Sequence, residues 1–273
     1  MTVIERTRRS AKSAPARKRF IAISGLPGAG RSTIALNLAT ALAINGQRVL
    51  LIDADTWQPS LVPALNIQEH PPGLSALCRA VRNQTITSHE LQRQCVQVEF
   101  AKHRFALLPG LANPERWPEI TPGAMQVILE LALATFDAVL IDCPPRFGAE
   151  LQRKDSPLAR DSLLDWLLAN AETNYFVASA DPVSIARLVA ANPDKCEIVI
   201  NRYRATTIGL AAKSQISQTL ATLLKKKVKA FLPLDQKACD QAIQLGAPLT
   251  CVRRNSPLKA AIGKLARDQK LSG

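Results

Sequence analysis

Phe20-Ile21-Ala22-Ile23-Ser24-Gly25-Leu26-Pro27-Gly28-Ala29-Gly30-Arg31-Ser32-Thr33 is the stretch that decides how this chain reads. Its first five residues are an apolar run of the length and composition of a buried strand. Residues 34–46 follow as an Ala- and Leu-rich segment ended by Gly46, which predicts a helix with a glycine stop. Strand, glycine-rich turn and helix together are the setting of a phosphate-binding P-loop. The glycines let successive backbone N–H groups converge on one point, and the helix N-terminus adds partial positive charge there. The motif has Lys after its last glycine, whereas this chain has Arg31. Arg keeps the charge and can fork onto two phosphate oxygens, but it is bulkier, planar and differently aimed. Ser32 keeps the hydroxyl that serves as a Mg²⁺ ligand in such loops. The plain alternative is a glycine-rich strand-to-helix turn that binds nothing.

Two further strand ends point the same way. Arg48-Val49-Leu50-Leu51-Ile52-Asp53-Ala54-Asp55 is an apolar run that ends in two acids. Carboxylates at the carboxyl end of a parallel strand lie where open α/β sheets bind ligands. Asp53 and Asp55, two apart, share a side of the strand and could serve Mg²⁺ and an attacking water, or simply cap the next turn. Phe136-Asp137-Ala138-Val139-Leu140-Ile141-Asp142-Cys143-Pro144-Pro145 repeats the pattern, with prolines that stop the strand. Asp142 at such an end can reach Mg²⁺ through water. Alone this third piece is weak; it gains weight from the other two.

Strand and helix patterns alternate along the rest of the chain. Strands are expected at 105–110, 175–180, 197–202 and 228–233. Helices are expected at 73–81, 125–135, 158–171, 184–191, 216–224, 239–245 and 257–266. Residues 56–72, 85–97 and 113–123 read as loops or polar segments, with helix only near 89–94, and 147–157 as a polar, mobile loop. This alternation predicts an α/β fold: a doubly wound, mostly parallel sheet with helices on both faces.

Composition narrows the classes. The 273 residues carry a net charge of +13, and 47% are hydrophobic, as expected of a globular chain. Only 4% are aromatic, which argues against a stacking platform for single-stranded nucleic acid. Seven Lys/Arg against Glu5 place +6 in residues 1–19. Their Ser, Ala and Pro neighbours cannot build a core, so this segment is expected to be a disordered basic tail ahead of one domain at 20–273. Such a tail is drawn to DNA or an anionic membrane without sequence preference, or is merely solvated. No stretch reaches the roughly 18 apolar residues of a membrane span, so a cytoplasmic protein is expected. The six cysteines and three histidines show no metal or redox spacing.

Together, Gly25–Thr33, Leu51-Ile52-Asp53-Ala54-Asp55 and Ile141-Asp142-Cys143-Pro144-Pro145 resemble the deviant Walker A, switch I and Walker B/switch II elements of the MinD/ParA ATPases. The nearer likeness is to the CpaE/TadZ branch, the pilus-assembly and localisation ATPases, especially their actinobacterial relatives. Leu108-Pro109-Gly110-Leu111, Arg116-Trp117-Pro118-Glu119, Ala180-Asp181-Pro182-Val183, Val199-Ile200-Asn201-Arg202-Tyr203-Arg204 and Leu232-Pro233-Leu234-Asp235 extend it over residues 19–268. The resemblance implies ATP and Mg²⁺ as cofactors. It implies that Gly25, Gly28, Ala29, Gly30, Arg31, Ser32 and Thr33 hold phosphates. Ser32, Asp53 and Asp142 would serve the metal, and Asp55 would orient the hydrolytic water, with Arg31 as the cation at the reacting phosphate. Asn201, with Arg202 beside it, would meet the adenine, and Pro233 would lie against its ring.

The superfamily's signature lysine falls at Leu26, which cannot donate to phosphate. Weak or absent hydrolysis is therefore expected, with binding less affected. The implied function is an ATP-dependent homodimeric positioning factor that recruits a pilus, secretion or polar partner, peripheral to the membrane or cell pole. The alternative is a ParA-like partitioning ATPase that binds DNA non-specifically. An ordinary P-loop kinase is a third and weaker reading.

Overall fold

The computed structural model describes residues 19–146, 160–204, 211–252 and 255–271. Its centre is a sheet of eight strands among the described residues: β1 (Arg19–Gly25), β2 (Val49–Asp53), β3 (Val96–Phe100), β4 (His103–Leu108), β5 (Ala138–Asp142), β6 (Thr173–Ser179), β7 (Glu197–Tyr203) and β8 (Val228–Pro233). Their spatial order is β3-β4-β2-β5-β1-β6-β7-β8. Every pairing is parallel except β3 with β4.

The helices among the described residues are α1 (Arg31–Ile44), α2 (Leu61–Ala64), α3 (Leu74–Arg82), α4 (Ser88–Arg93), α5 (Pro122–Thr135), α6 (Ser162–Asn170), α7 (Pro182–Ala191), α8 (Ala212–Leu224), α9 (Gln236–Leu245) and α10 (Pro257–Leu271). They cover both sheet faces, and the strands show why. In β1, Ile21 and Ile23 belong to one apolar cluster with α1, α7, α8 and α10; Phe20 and Ala22 belong to another with α3, α5 and α6. The two-residue repeat sends alternate side chains to opposite faces, and both are buried, so the strand reads as one unbroken apolar run. This is the doubly wound, mostly parallel architecture expected from the alternation.

α1 is buried almost all round, because α10 packs on its outer side. It stops where the sequence stops it. Gly46 adopts φ 85°, its N–H reaches the Ala43 carbonyl at 3.0 Å, and the Gln47 N–H reaches Leu42 at 3.2 Å. That is the two-bond glycine closure of a helix end.

Several expectations need correction. Residues 96–100, of which the first two fall in the segment expected to be polar and the rest carry no expected element, form strand β3. Only Val98 and Phe100 are buried, with Gln97 and Glu99 exposed. That alternation is an edge strand's signature, and the polar half of it hid the strand. The loop at 56–72 contains the short α2, and that at 113–123 contains a 3₁₀ turn, Pro114–Glu119. α8 and α9 begin earlier than expected, and Asp235 caps the latter by accepting from Ala238 N–H at 3.2 Å. The basic tail falls outside the described residues except for Arg19, which opens β1. The polar loop at 147–157 also lies outside them. Among the described residues no helix is long and apolar enough to cross a membrane.

Candidate nucleotide site

The carboxyl ends of β1, β2 and β5 lie side by side at the middle of the sheet, and the glycine loop leaves from β1. Its glycines are there for distinct reasons. Gly25 has φ 145°, and a Cβ on it would sit 2.2 Å from the Val177 carbonyl oxygen. Close approach to β6 excludes any side chain. Gly30 has φ 90°, and a Cβ there would meet Asn201 Nδ2 at 2.5 Å. That amide donates to the Ala29 carbonyl at 2.8 Å, so the end of β7 fastens the loop from the side. Leu26 donates its N–H to Val177 at 3.0 Å, and its side chain is folded into the apolar core.

Next to the loop, β5 aligns with β2 so that Asp142 stands opposite Asp53. Neighbouring strands are about 4.8 Å apart, so the two carboxylates share a face as close neighbours. Their surroundings differ. Asp53 accepts from the N–H groups of Asp55 at 3.2 Å, Ser60 at 3.0 Å and Leu61 at 3.0 Å, which ties the strand end to the start of α2. Burial nevertheless pushes its carboxyl up to about 7, with the amides pulling it back and the charge of Asp55 adding to the rise. Asp142 is fully buried, and neither of its oxygens accepts a hydrogen bond of good geometry. Burial first, then the charge of Asp53, hold it well above the usual carboxylate range. Arg31 and the neighbouring Ser32 hydroxyl act in the opposite sense.

Arg31, the first residue of α1, is buried. One of its nitrogens donates to the Cys143 carbonyl at 2.9 Å, and another to Asp55 Oδ2 at 3.1 Å. Asp55 uses its other oxygen to accept from Trp57 N–H at 2.8 Å and Gln58 N–H at 3.0 Å. The loop arginine therefore joins the exits of β2 and β5, and the acid expected to orient water is its partner. Ser32 is half-buried and Thr33 is exposed at the same helix start. Asn201 and the exposed Arg202, which has φ 55°, end β7; Pro233 ends the adjacent β8. Arg31, Ser32, Asp53, Asp55 and Asp142 thus gather at one place, and Asn201, Arg202 and Pro233 lie at neighbouring strand ends.

Sequence reasoning missed Arg160. Its guanidinium lies 3.7 Å from the Trp57 ring centre and 5.4 Å from that of Trp117, and it donates to the Thr56 and Pro114 carbonyls. It clamps the segment after Asp55 to the 3₁₀ turn by cation–π and hydrogen-bond contacts. No spacing or motif announces it.

A fully buried acid with both oxygens orphaned is costly unless a cation or water meets it. Asp142 and the Ser32 hydroxyl would hold a divalent ion that meets this deficit, and Mg²⁺, which takes oxygen ligands and keeps much of its shell as water, suits such a donor set. The residues present therefore suit Mg²⁺ together with a polyphosphate at the Gly25–Thr33 amides.

The fold is shared with solved structures of ParA- and MinD-type ATPases. A family model described as an AAA domain matches residues 18–154, half of the chain, and the protein belongs to that family. The chain is 27% identical over 248 residues to the septum site-determining protein MinD of Synechocystis, covering 91% of this chain and 87% of that one. It is 32% identical over 128 residues to the tyrosine-protein kinase YwqD of Bacillus subtilis, covering 47% of this chain and 50% of that one. It thus spans about half the length of the latter relative. The solved structure of a ParA family ATPase from Chlorobium tepidum superposes with a TM-score of 0.71 at 19% identity, covering 92% and 99% of the two chains.

Proposed function

We propose that this protein binds ATP with Mg²⁺ at the loop Gly25–Thr33 and works as a nucleotide-dependent positioning ATPase of low hydrolytic rate. The observation that carries the reading is Asp142: a fully buried acid, its oxygens unmet, beside Ser32 at the start of the loop helix. Asp142 and Ser32 would hold the metal, with Asp53 behind them fixing the strand end. The bound ion would neutralise phosphate charge. The backbone N–H groups of the loop orient the phosphates, and the apolar Leu26 keeps water from the loop's underside. Asn201, Arg202 and Pro233 border the side on which a base would rest.

Slow turnover follows from three side chains. Phosphoryl transfer needs a cation on the reacting phosphate and a group that positions water. Here Arg31 and Asp55 are engaged with each other, and Leu26 offers no charge. In the finer reading, ATP favours a homodimer that recruits a partner in pilus assembly, secretion or polar organisation, in the manner of the CpaE-like branch. The basic segment at 1–19 and the exposed Lys225, Lys227 and Lys229 favour a second reading, non-specific DNA contact of the ParA kind. The test pairs binding with turnover. A fluorescent ATP analogue should bind saturably in Mg²⁺ while phosphate release stays near background. Rapid turnover would refute the slow-ATPase reading, and transfer to a small-molecule acceptor would favour a kinase.

A further inference from the structure

A hollow lies between α1 and α10, apart from the loop and the acid-tipped strands. It encloses about 550 Å³, the size of a small-ligand site. Its apolar wall is Ala41 and Ile44 of α1 with Ile262 of α10, and Ile44 is 41% exposed. Lys259 and Arg267 also line it, eight residues apart along α10, a rise of about 12 Å. Among the described residues no acid lines the hollow, and neither cation pairs with a carboxylate.

Two features bear on what the hollow can hold. Thr250 Oγ1, in the lining, is buried and has no hydrogen-bond partner. An orphaned hydroxyl of this kind awaits a polar atom. Gly263 sits mid-helix between the two cations, where glycine costs about 1 kcal/mol relative to alanine. A Cβ there would meet only an Arg267 guanidinium nitrogen, at 3.7 Å. Packing among the described residues does not demand the glycine; what its missing side chain does is leave the hollow open. Asn37, also in the lining, donates to the Thr33 carbonyl at 2.8 Å and accepts from Leu249 N–H at 2.8 Å. One residue therefore connects this wall to the start of the loop helix.

We propose that the hollow between α1 and α10 binds a small amphipathic anion. A phosphate or carboxylate head is held by Lys259, Arg267 and the Thr250 hydroxyl, and a short hydrocarbon body lies on Ala41, Ile44 and Ile262. The proposal stands independently of the nucleotide reading.

Octyl phosphate, kept below its micellar concentration, is the probe, with neutral octyl glucoside as control; both are titrated into the full chain by calorimetry. Saturable one-to-one binding of octyl phosphate is expected, and none of octyl glucoside. Gly263→Leu, which fills the hollow, and the double variant Lys259→Ala with Arg267→Ala should each weaken binding by about tenfold or more. If Gly263→Leu does not fold by circular dichroism, the double variant decides, since it alters only the half-buried Lys259 and the exposed Arg267. No saturable binding, equal binding of the neutral amphiphile, or unchanged affinity in the double variant would overturn the proposal.

Discussion

Asp142 carries the argument at the scale of single residues, and it has a pH signature. Asp53 and Asp142 hold their protons to higher pH in the folded chain than an unfolded one would, Asp53 to about 7. From about pH 4 upward the folded state therefore binds more protons, so this contribution to the nucleotide-free protein's stability is lost as pH rises through 7. Asp142→Asn removes part of that penalty. Its melting temperature should exceed the parent's, by more at pH 8 than at pH 6; an advantage that shrinks with pH would contradict the assignment. Arg31 makes a second case. Removing one partner of a buried ion pair leaves the other charge unmet, at a cost of about 3–5 kcal/mol. Arg31→Ala should lose that much in urea unfolding, and adding Asp55→Asn should restore a good part of it. A loss below about 1 kcal/mol would mean the pair is not formed. The identities of these residues were legible in the sequence, because glycine spacing and acid-tipped strands are local patterns. Their pairing was not. That Arg31 reaches Asp55 depends on two strand exits meeting the helix start, which only the fold arranges, and Arg160 was invisible for the same reason.

At the scale of elements, the loop between β1 and α1 tests why each glycine is present. Gly25→Ala places a methyl against the Val177 carbonyl at a strained φ, whereas Gly28 has φ 72° with nothing within 4 Å of a Cβ. Gly28→Ala should cost only the left-handed penalty, about 1–2 kcal/mol, and fold normally. Gly25→Ala should be the far more damaging change, read as a larger fall in melting temperature or loss of soluble protein. Equal falls would show that β1 and β6 do not approach so closely. Most elements could be read from the sequence because central strands here are buried on both faces and appear as continuous apolar runs. Strand β3 escaped because it lies at the edge and half of it faces outward. The starts of α8 and α9 escaped because their first turns are polar, and Asp235 in its capping role looks like any loop acid.

At the scale of the whole molecule, charge and nucleotide affinity separate the two readings of function. If residues 1–19 drive non-specific DNA contact, retention on DNA should fall steeply between about 50 and 200 mM salt and vanish when they are deleted. Retention unchanged by the deletion would move that contact to Lys225, Lys227 and Lys229, and no retention of the parent would remove it. The sheet order itself was anticipated only as a class: alternation of strand and helix gives a doubly wound sheet, but not which strands stand beside β1. That placement brings Asp142 next to the loop, and on it the nucleotide reading depends. The direct measurement is a titration of a fluorescent ATP analogue against the parent chain and Asp142→Asn, each with and without Mg²⁺. The parent should bind about tenfold or more tightly in Mg²⁺, and the variant should lose that gain while still folding. Magnesium dependence that survives intact in the variant, or a parent that binds no analogue at all, would contradict the account.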